Sequence, residues 1–122
     1  MLNLTDYAVS YGQSQIIQGL NLSIAPGEIV ALVGRNGMGK TTLMKSLIGM
    51  IESRVGKVLF DGSDIISLAS HERVHRGLGF VPQGRMVFAT MTVEENIRTG
   101  MKSARDTRVP DHLYDYFPAL WD

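Results

Sequence analysis

An α/β fold is what this sequence predicts, and three observations carry the prediction. The run Glu28-Ile29-Val30-Ala31-Leu32-Val33 is apolar after its first residue, as a parallel strand covered on both faces would be. Directly after it, Gly34 to Thr42 match the phosphate-binding pattern G-x-x-x-x-G-K-[ST]. Beyond the loop, Leu43, Leu47 and Ile51 stand four apart with Met44 and Ile48 beside them, which reads as one apolar helix face with the methionines packed in the core. Strand, loop and helix in this order are the context the pattern requires. The dinucleotide-binding alternative fails, because G-x-G-x-x-G spacing is absent.

The other elements follow along the chain. Leu2 to Ser10 alternates loosely, and Leu20, Leu22 and Ile24 alternate cleanly with Asn21 and Ser23, so both read as half-buried strands. Tyr11-Gly12 and Pro26-Gly27 mark the turns that follow them. Lys57 to Phe60 predicts a short strand ended by the turn Asp61-Gly62. Ser70 to Arg76 predicts a helix of a turn or two, and Leu78 to Val81 a buried strand ended by Pro82. Thr92-x-x-Glu95 is a capping box, and Val93, Ile97 and Met101 continue it at spacing four, which predicts a helix over 92–101. Residues 102–109 are charged and small, as in an exposed linker. Pro110 suits a first helical position, Leu113 and Phe117 share a face, and Pro118 stops the helix.

The loop residues explain themselves chemically. A polyphosphate is wrapped by inward-pointing backbone N–H groups, which needs conformations and close approach that a Cβ would obstruct, hence Gly34, Gly37 and Gly39. The helix that starts near Gly39 adds its free N-terminal N–H groups and the positive end of its dipole. Lys40 supplies a mobile point charge for the β- and γ-phosphates, and the Thr41 hydroxyl is placed to ligate Mg²⁺. The candidate nucleotide site thus comprises Gly34, Arg35, Asn36, Gly37, Met38, Gly39, Lys40, Thr41 and Thr42.

Composition bounds the rest. The 122 residues, 44% hydrophobic and 20% charged, suit one small globular domain. Lys+Arg and Asp+Glu both number 12, so the chain lacks the basic field of a nucleic-acid binder, and no nucleic-acid partner is expected. Without cysteine it forms no disulfide or thiolate metal site, which fits a reducing compartment. Its apolar runs are too short to span a bilayer, and Met1 to Asp6 lack the layout of a signal peptide, so a membrane is expected to matter only through a partner.

Six segments together resemble one family: Ser10-Tyr11-Gly12, Leu20 to Ile29, the phosphate loop, Gly56 to Gly62, Gly79 to Arg85, and Met91 to Ile97. In that order they look like the N-terminal half of an ABC-type ATP-binding subunit, more narrowly those of bacterial importers for branched-chain amino acids. Urea or short-amide importers are the near alternative. The resemblance implies a P-loop NTPase core with an antiparallel β subdomain and the start of a helical subdomain, divided as 1–82 and 83–122. It implies ATP and Mg²⁺ as cofactors, Tyr11 stacked on adenine, and Gln83 in a glutamine loop that reaches Mg²⁺ and the attacking water. It further implies permease subunits and a second ATP-binding subunit as partners, a periplasmic binding protein indirectly, and a place on the cytoplasmic face of the inner membrane.

Other features of the family do not occur in these 122 residues: the acidic Mg²⁺ ligand, the catalytic glutamate, the Leu-Ser-Gly-Gly-Gln signature and the switch histidine. Phosphoryl transfer needs an oriented water as well as a clamp, so the chain alone is expected to bind ATP without useful hydrolysis. The resemblance also places missing strands between the loop strand and Leu78 to Val81, so the sequence is expected to be incomplete, with unpaired strand edges.

His71-Glu72-Arg73-Val74-His75 matches the zinc-protease pattern H-E-x-x-H, but the longer form fails at Leu78 and Val81, and the residues read instead as the surface of a connecting helix. Soluble ABC proteins of translation or DNA repair would need insertions or a second cassette that this length does not hold. An interaction module with a vestigial loop stays open as an alternative.

Overall fold

The computed structural model describes residues 1–35, 37–84, 86–101 and 108–121; Asn36, Arg85 and most of the expected linker lie outside the described residues. The chain divides into two compact units, Met1–Phe80 and Val81–Asp122.

In the first unit, β1 (Leu2–Tyr11) and β2 (Ser14–Ile24) form an antiparallel hairpin turned at Gly12, whose φ is +61°. β1 also pairs with β3 (Val55–Phe60), and β4 (Ser63–Asp64) completes an antiparallel sheet of order β2-β1-β3-β4. The β3–β4 turn has φ of +46° at Asp61 and +80° at Gly62, and two left-handed central residues match the twist of a tight hairpin.

The loose alternation of β1 has a structural cause. Leu4 occupies an even position, whereas Tyr7 and Val9 occupy odd ones, yet all three lie in the core. Between them Asp6 adopts φ +47°, and the register with both neighbouring strands shifts there. The extra residue flips the pleat, which returns Tyr7 and Val9 to the face that Leu4 occupies. Asn21 holds this bulge: its Oδ1 accepts from the Asp6 N–H at 3.0 Å, and its Nδ2 donates to the Gly19 carbonyl at 3.2 Å. On the other side, β3 runs so close that a Cβ on Gly56, at φ +89°, would lie 2.5 Å from the Asp6 carbonyl oxygen.

Helix α1 (Met38–Leu47) covers that core face. Leu43 and Leu47 join Leu4, Tyr7, Val9, Val58 and Ile65 in one buried cluster, each such side chain stabilising by about 1.5–3 kcal/mol. Two expectations are corrected here. Met44 is 43% exposed rather than core. Ile51 packs against the cluster from beyond the helix, which has already ended at Ile48 and the left-handed Gly49, φ +86°. Helix α2 (Ser70–His75) forms where expected, with the Glu72 carboxylate accepting from the Ala69 N–H at 2.8 Å.

Neither Ile29 to Val33 nor Leu78 to Val81 forms the expected strand. Ile29 is 98% exposed, Val33 90% and Val81 92%. A covered parallel strand needs paired edges and a layer on each face, and among the described residues neither segment pairs with another strand. Leu78 still packs against the first unit's core.

The second unit holds α3 (Val93–Thr99), α4 (Asp111–Tyr116) and a 3₁₀ turn, Pro118–Trp121. The capping box forms: Thr92 Oγ1 accepts from the Glu95 N–H at 3.2 Å, and Glu95 accepts from the Thr92 N–H at 2.8 Å. Helix α3 ends at Thr99, so Met101 of the expected stripe falls outside it. Pro110 is the residue before α4 rather than its first, and Phe117 follows the helix with 59% of its surface exposed. Among the described residues, no helix is long and apolar enough to cross a membrane.

Candidate phosphate-binding cleft

The sequence leaves the start of α1 open to an anion. Its N-cap is Gly37, with φ −169° and ψ 165°, which offers no side-chain acceptor, and the first turn contains no acidic residue. The first-turn N–H groups are therefore not satisfied by a cap, and the positive end of the helix dipole carries no compensating carboxylate. Helix α3 is the contrast, with Thr92 capping it and Glu94 and Glu95 in its first turn.

Lys40 leaves this first turn and folds back over the loop. Its Nζ donates to the carbonyl oxygens of Gly34 at 2.5 Å and Arg35 at 2.8 Å. Two carbonyl acceptors thus hold the ammonium at the mouth of the loop. The conformational part of the glycine expectation is corrected: none of Gly34, Gly37 and Gly39 is left-handed, and an added Cβ would meet no protein atom closer than 3.8 Å. Without backbone strain to explain these glycines, the open space in front of them is what a side chain would fill.

A cleft of about 510 Å³ runs from this loop along α1 and is lined by Tyr11, Ile16, Gly37, Thr41, Thr42, Lys45 and Ile51. That size is within the range of small-molecule sites. The structure therefore brings Tyr11, at the end of β1, into one concavity with Thr41 and Thr42, from the start of α1. Tyr11 is 65% exposed, so its ring face is available for contact. Thr41 is exposed and Thr42 buried. Ile16, Lys45 and Ile51 are cleft residues that sequence reasoning missed. Lys45 had a signal, since it lies one helical turn beyond Thr41; Ile16 and Ile51 reach the cleft only through the hairpin and the end of α1.

Gln83 lies exposed in the second unit. Arg35 is exposed in the loop, and Met38 is the first residue of α1. The exposed Thr41 hydroxyl is a hard oxygen donor of the kind that suits Mg²⁺.

His71 and His75 are both exposed on α2, and among the described residues no group of three or more His, Cys, Asp or Glu is arranged to hold a metal ion. The informative residue of that motif is the arginine between them. Arg73 is 4% exposed. Its Nη1 donates to the carbonyls of Ser46 at 2.9 Å and Leu47 at 2.8 Å, its Nε to Leu68 at 2.9 Å and its Nη2 to Ile66 at 2.9 Å. Burial pulls its pKa below the ordinary guanidinium value, opposed by the charge interaction with Tyr7.

In the second unit, an apolar hollow of about 530 Å³ is lined by Met86, Val87, Phe88, Met91, Val93 and Ile97, among others. Asn96 pins its rim: Oδ1 accepts from the Phe88 N–H at 2.8 Å, while Nδ2 donates to the carbonyls of Phe88 at 3.1 Å and Thr92 at 2.9 Å. Met86 and Val87 stay 73% and 71% exposed.

Comparison with known proteins matches residues 17–117 to the model of a transporter family described as ABC transporter. The lipopolysaccharide export system ATP-binding protein LptB of Haemophilus influenzae is 35% identical over 106 residues, covering 87% of this chain and 44% of that protein. The high-affinity branched-chain amino acid transport ATP-binding protein BraG of Pseudomonas aeruginosa is 33% identical over 123 aligned positions, covering 98% of this chain and 53% of that one. Among solved structures, a dimeric ATP-binding cassette, MJ0796, in a post-hydrolysis state with ADP and phosphate, is similar in fold, with TM-score 0.74 and 24% identity over 92% of this chain and 52% of that one. The chain thus spans about half the length of the curated relatives it matches.

Proposed function

The chain belongs to the ABC transporter family, and on that premise we propose that it forms the ATP-binding portion of a subunit that energises a bacterial importer for branched-chain amino acids. The cleft joining an exposed aromatic ring, Tyr11, to the uncapped start of α1 supports the ATP-binding part of this reading, and the similarity to BraG supports the solute. Adenine stacks on Tyr11, and the chain of phosphates runs along α1 to the loop. Lys40 exchanges its carbonyl partners Gly34 and Arg35 for phosphate oxygens, which its mobile point charge suits. Gly34, Gly37 and Gly39 let the backbone close on the anion, with Arg35, Asn36, Met38 and Thr42 as the intervening and following positions.

Thr41 would hold Mg²⁺ through its hydroxyl, and Gln83 is the glutamine of the loop that the family resemblance assigns. When bound, the ion neutralises charge on the β- and γ-phosphates. Residues 1–82 make the nucleotide-binding core and β subdomain in this reading, and 83–122 the glutamine loop and helical subdomain. The apolar hollow of Met86, Val87 and Phe88 is the surface offered to permease subunits, which hold the protein at the cytoplasmic face of the membrane. A second ATP-binding subunit completes the site, and a periplasmic binding protein delivers solute to the permease. Hydrolysis needs a positioned water as well as the phosphate clamp, so this portion by itself is expected to bind ATP without useful turnover.

Titration with a fluorescent ATP analogue, with and without Mg²⁺, tests the reading. Lys40→Ala is expected to weaken binding about 10- to 100-fold, the value of one charge-assisted hydrogen bond to phosphate. Equal affinity in both proteins would sink it, whereas robust, Lys40-dependent ATP turnover by the 122-residue chain would overturn only the expectation that this portion binds without hydrolysing.

The similarity to LptB favours a second reading, in which the transported molecule is lipopolysaccharide. The permease that co-purifies with the protein distinguishes the two.

A further inference from the structure

We propose that Arg73 is a positioning residue for the phosphate site: it fixes the far end of the helix whose near end binds phosphate. The inference rests on the nucleotide reading of the cleft. Helix α1 has 10 residues and is therefore about 15 Å long, with Lys40 and Thr41 in its first turn and Ser46 and Leu47 in its last. A helix this short moves as one body, so an anchor at one end sets the aim of the other.

Arg73 is built as that anchor. Its Nη1 is shared by the carbonyls of Ser46 and Leu47, at 2.9 and 2.8 Å, in the last turn, where the Ser46 carbonyl also accepts from the Gly49 N–H at 3.0 Å. Its Nε and Nη2 take the carbonyls of Leu68 and Ile66, both at 2.9 Å, in the segment between β4 and α2. One planar fork thus ties the end of α1 to the chain that leaves the sheet, with donors in four fixed directions, a geometry that an ammonium cannot copy. Packing leaves the fork no slack: a Cβ on Gly49, just past the helix, would lie 3.2 Å from Arg73 Nε and from Ser70 backbone atoms.

The fork also has an electrostatic consequence. A buried cation at the C-terminal end of α1 cancels the negative pole of its dipole, and the positive pole then faces the phosphates uncompensated. Both effects act on phosphate groups and leave alone the cleft residues Tyr11 and Ile16, which the β1–β2 hairpin carries. That separates positioning from simple stabilisation, which would change the folded fraction and treat all ligands alike.

The test compares the affinities of ATP and AMP analogues, corrected for folded fraction by circular dichroism, in the unsubstituted protein, Arg73→Met and Arg73→Lys. Arg73→Met is expected to weaken ATP binding about tenfold and AMP binding less than about threefold. Arg73→Lys, which keeps the charge and loses the fork, is expected to fall between, and it carries the comparison alone if Arg73→Met does not fold. An equal fall for both nucleotides, or no fall in either folded variant, overturns the proposal while leaving the nucleotide site intact. Failure of the unsubstituted protein to bind ATP overturns the nucleotide reading itself, and this inference with it.

Discussion

Replacing Gly56 by alanine should be among the most damaging single-methyl additions in the first unit. Two costs combine. At φ +89° a side chain sits in the left-handed region, which costs about 1–2 kcal/mol. The new Cβ would also lie 2.5 Å from the Asp6 carbonyl oxygen, 2.6 Å from that of Thr5 and 2.7 Å from the Asp6 carbonyl carbon. These are backbone atoms of a bulge held by Asn21, so they yield only by moving β1, at about 1–3 kcal/mol for an overpacked site. The sum is about 2–5 kcal/mol, a large share of the stability of a small domain. Gly12→Ala is the internal control: its φ of +61° carries the conformational cost, but nothing lies within 4 Å of the added Cβ. Urea unfolding followed by circular dichroism should show Gly56→Ala destabilised by at least about 1 kcal/mol more than Gly12→Ala. Equal destabilisation of the two would refute the close approach of β3 to the bulge, and with it the account of how Tyr7 and Val9 come to face α1.

Two further outcomes are expected. If the ring and not the hydroxyl makes the proposed contact, Tyr11→Phe should keep nucleotide affinity within about twofold, whereas Tyr11→Ala should lose about 0.5–1.5 kcal/mol of it; isothermal titration reads the difference, and unchanged affinity in Tyr11→Ala would remove Tyr11 from the site. The Glu95 carboxyl is held below its ordinary pKa, first by the Thr92 N–H and then by the Thr92 hydroxyl. A carboxyl depressed in the folded state stabilises it fully above the unfolded pKa and loses that contribution as pH falls through the folded value. The fraying of α3 should therefore rise on acidification below the ordinary carboxylate range, and NMR shifts of residues 93–99 should show this in the unsubstituted protein but not in Glu95→Gln.

Local chemistry was legible in the sequence wherever neighbours along the chain decide it. The pattern from Gly34 to Thr42, the turn at Asp61-Gly62 and the capping box at Thr92 and Glu95 are all short-range arrangements, and each element they announce begins or ends where they place it. The reach of Tyr11 into the cleft depended on a resemblance, because the hairpin that delivers it pairs residues far apart in sequence.

What the sequence by itself determined is the identity and order of the parts: an apolar run, a glycine-rich loop with Lys40 and Thr41, and a helix with Leu43 and Leu47 on one face. Only the tertiary structure decided which of them are covered. Ile29 to Val33 has the composition of a buried strand and lies exposed, because burial is conferred by neighbours and not by hydrophobicity. Arg73 has the composition of a surface residue and lies buried, because two nearby carbonyls, of Ile66 and Leu68, and two distant ones, of Ser46 and Leu47, converge on its guanidinium. That convergence is a property of the fold, since no spacing along the chain encodes it.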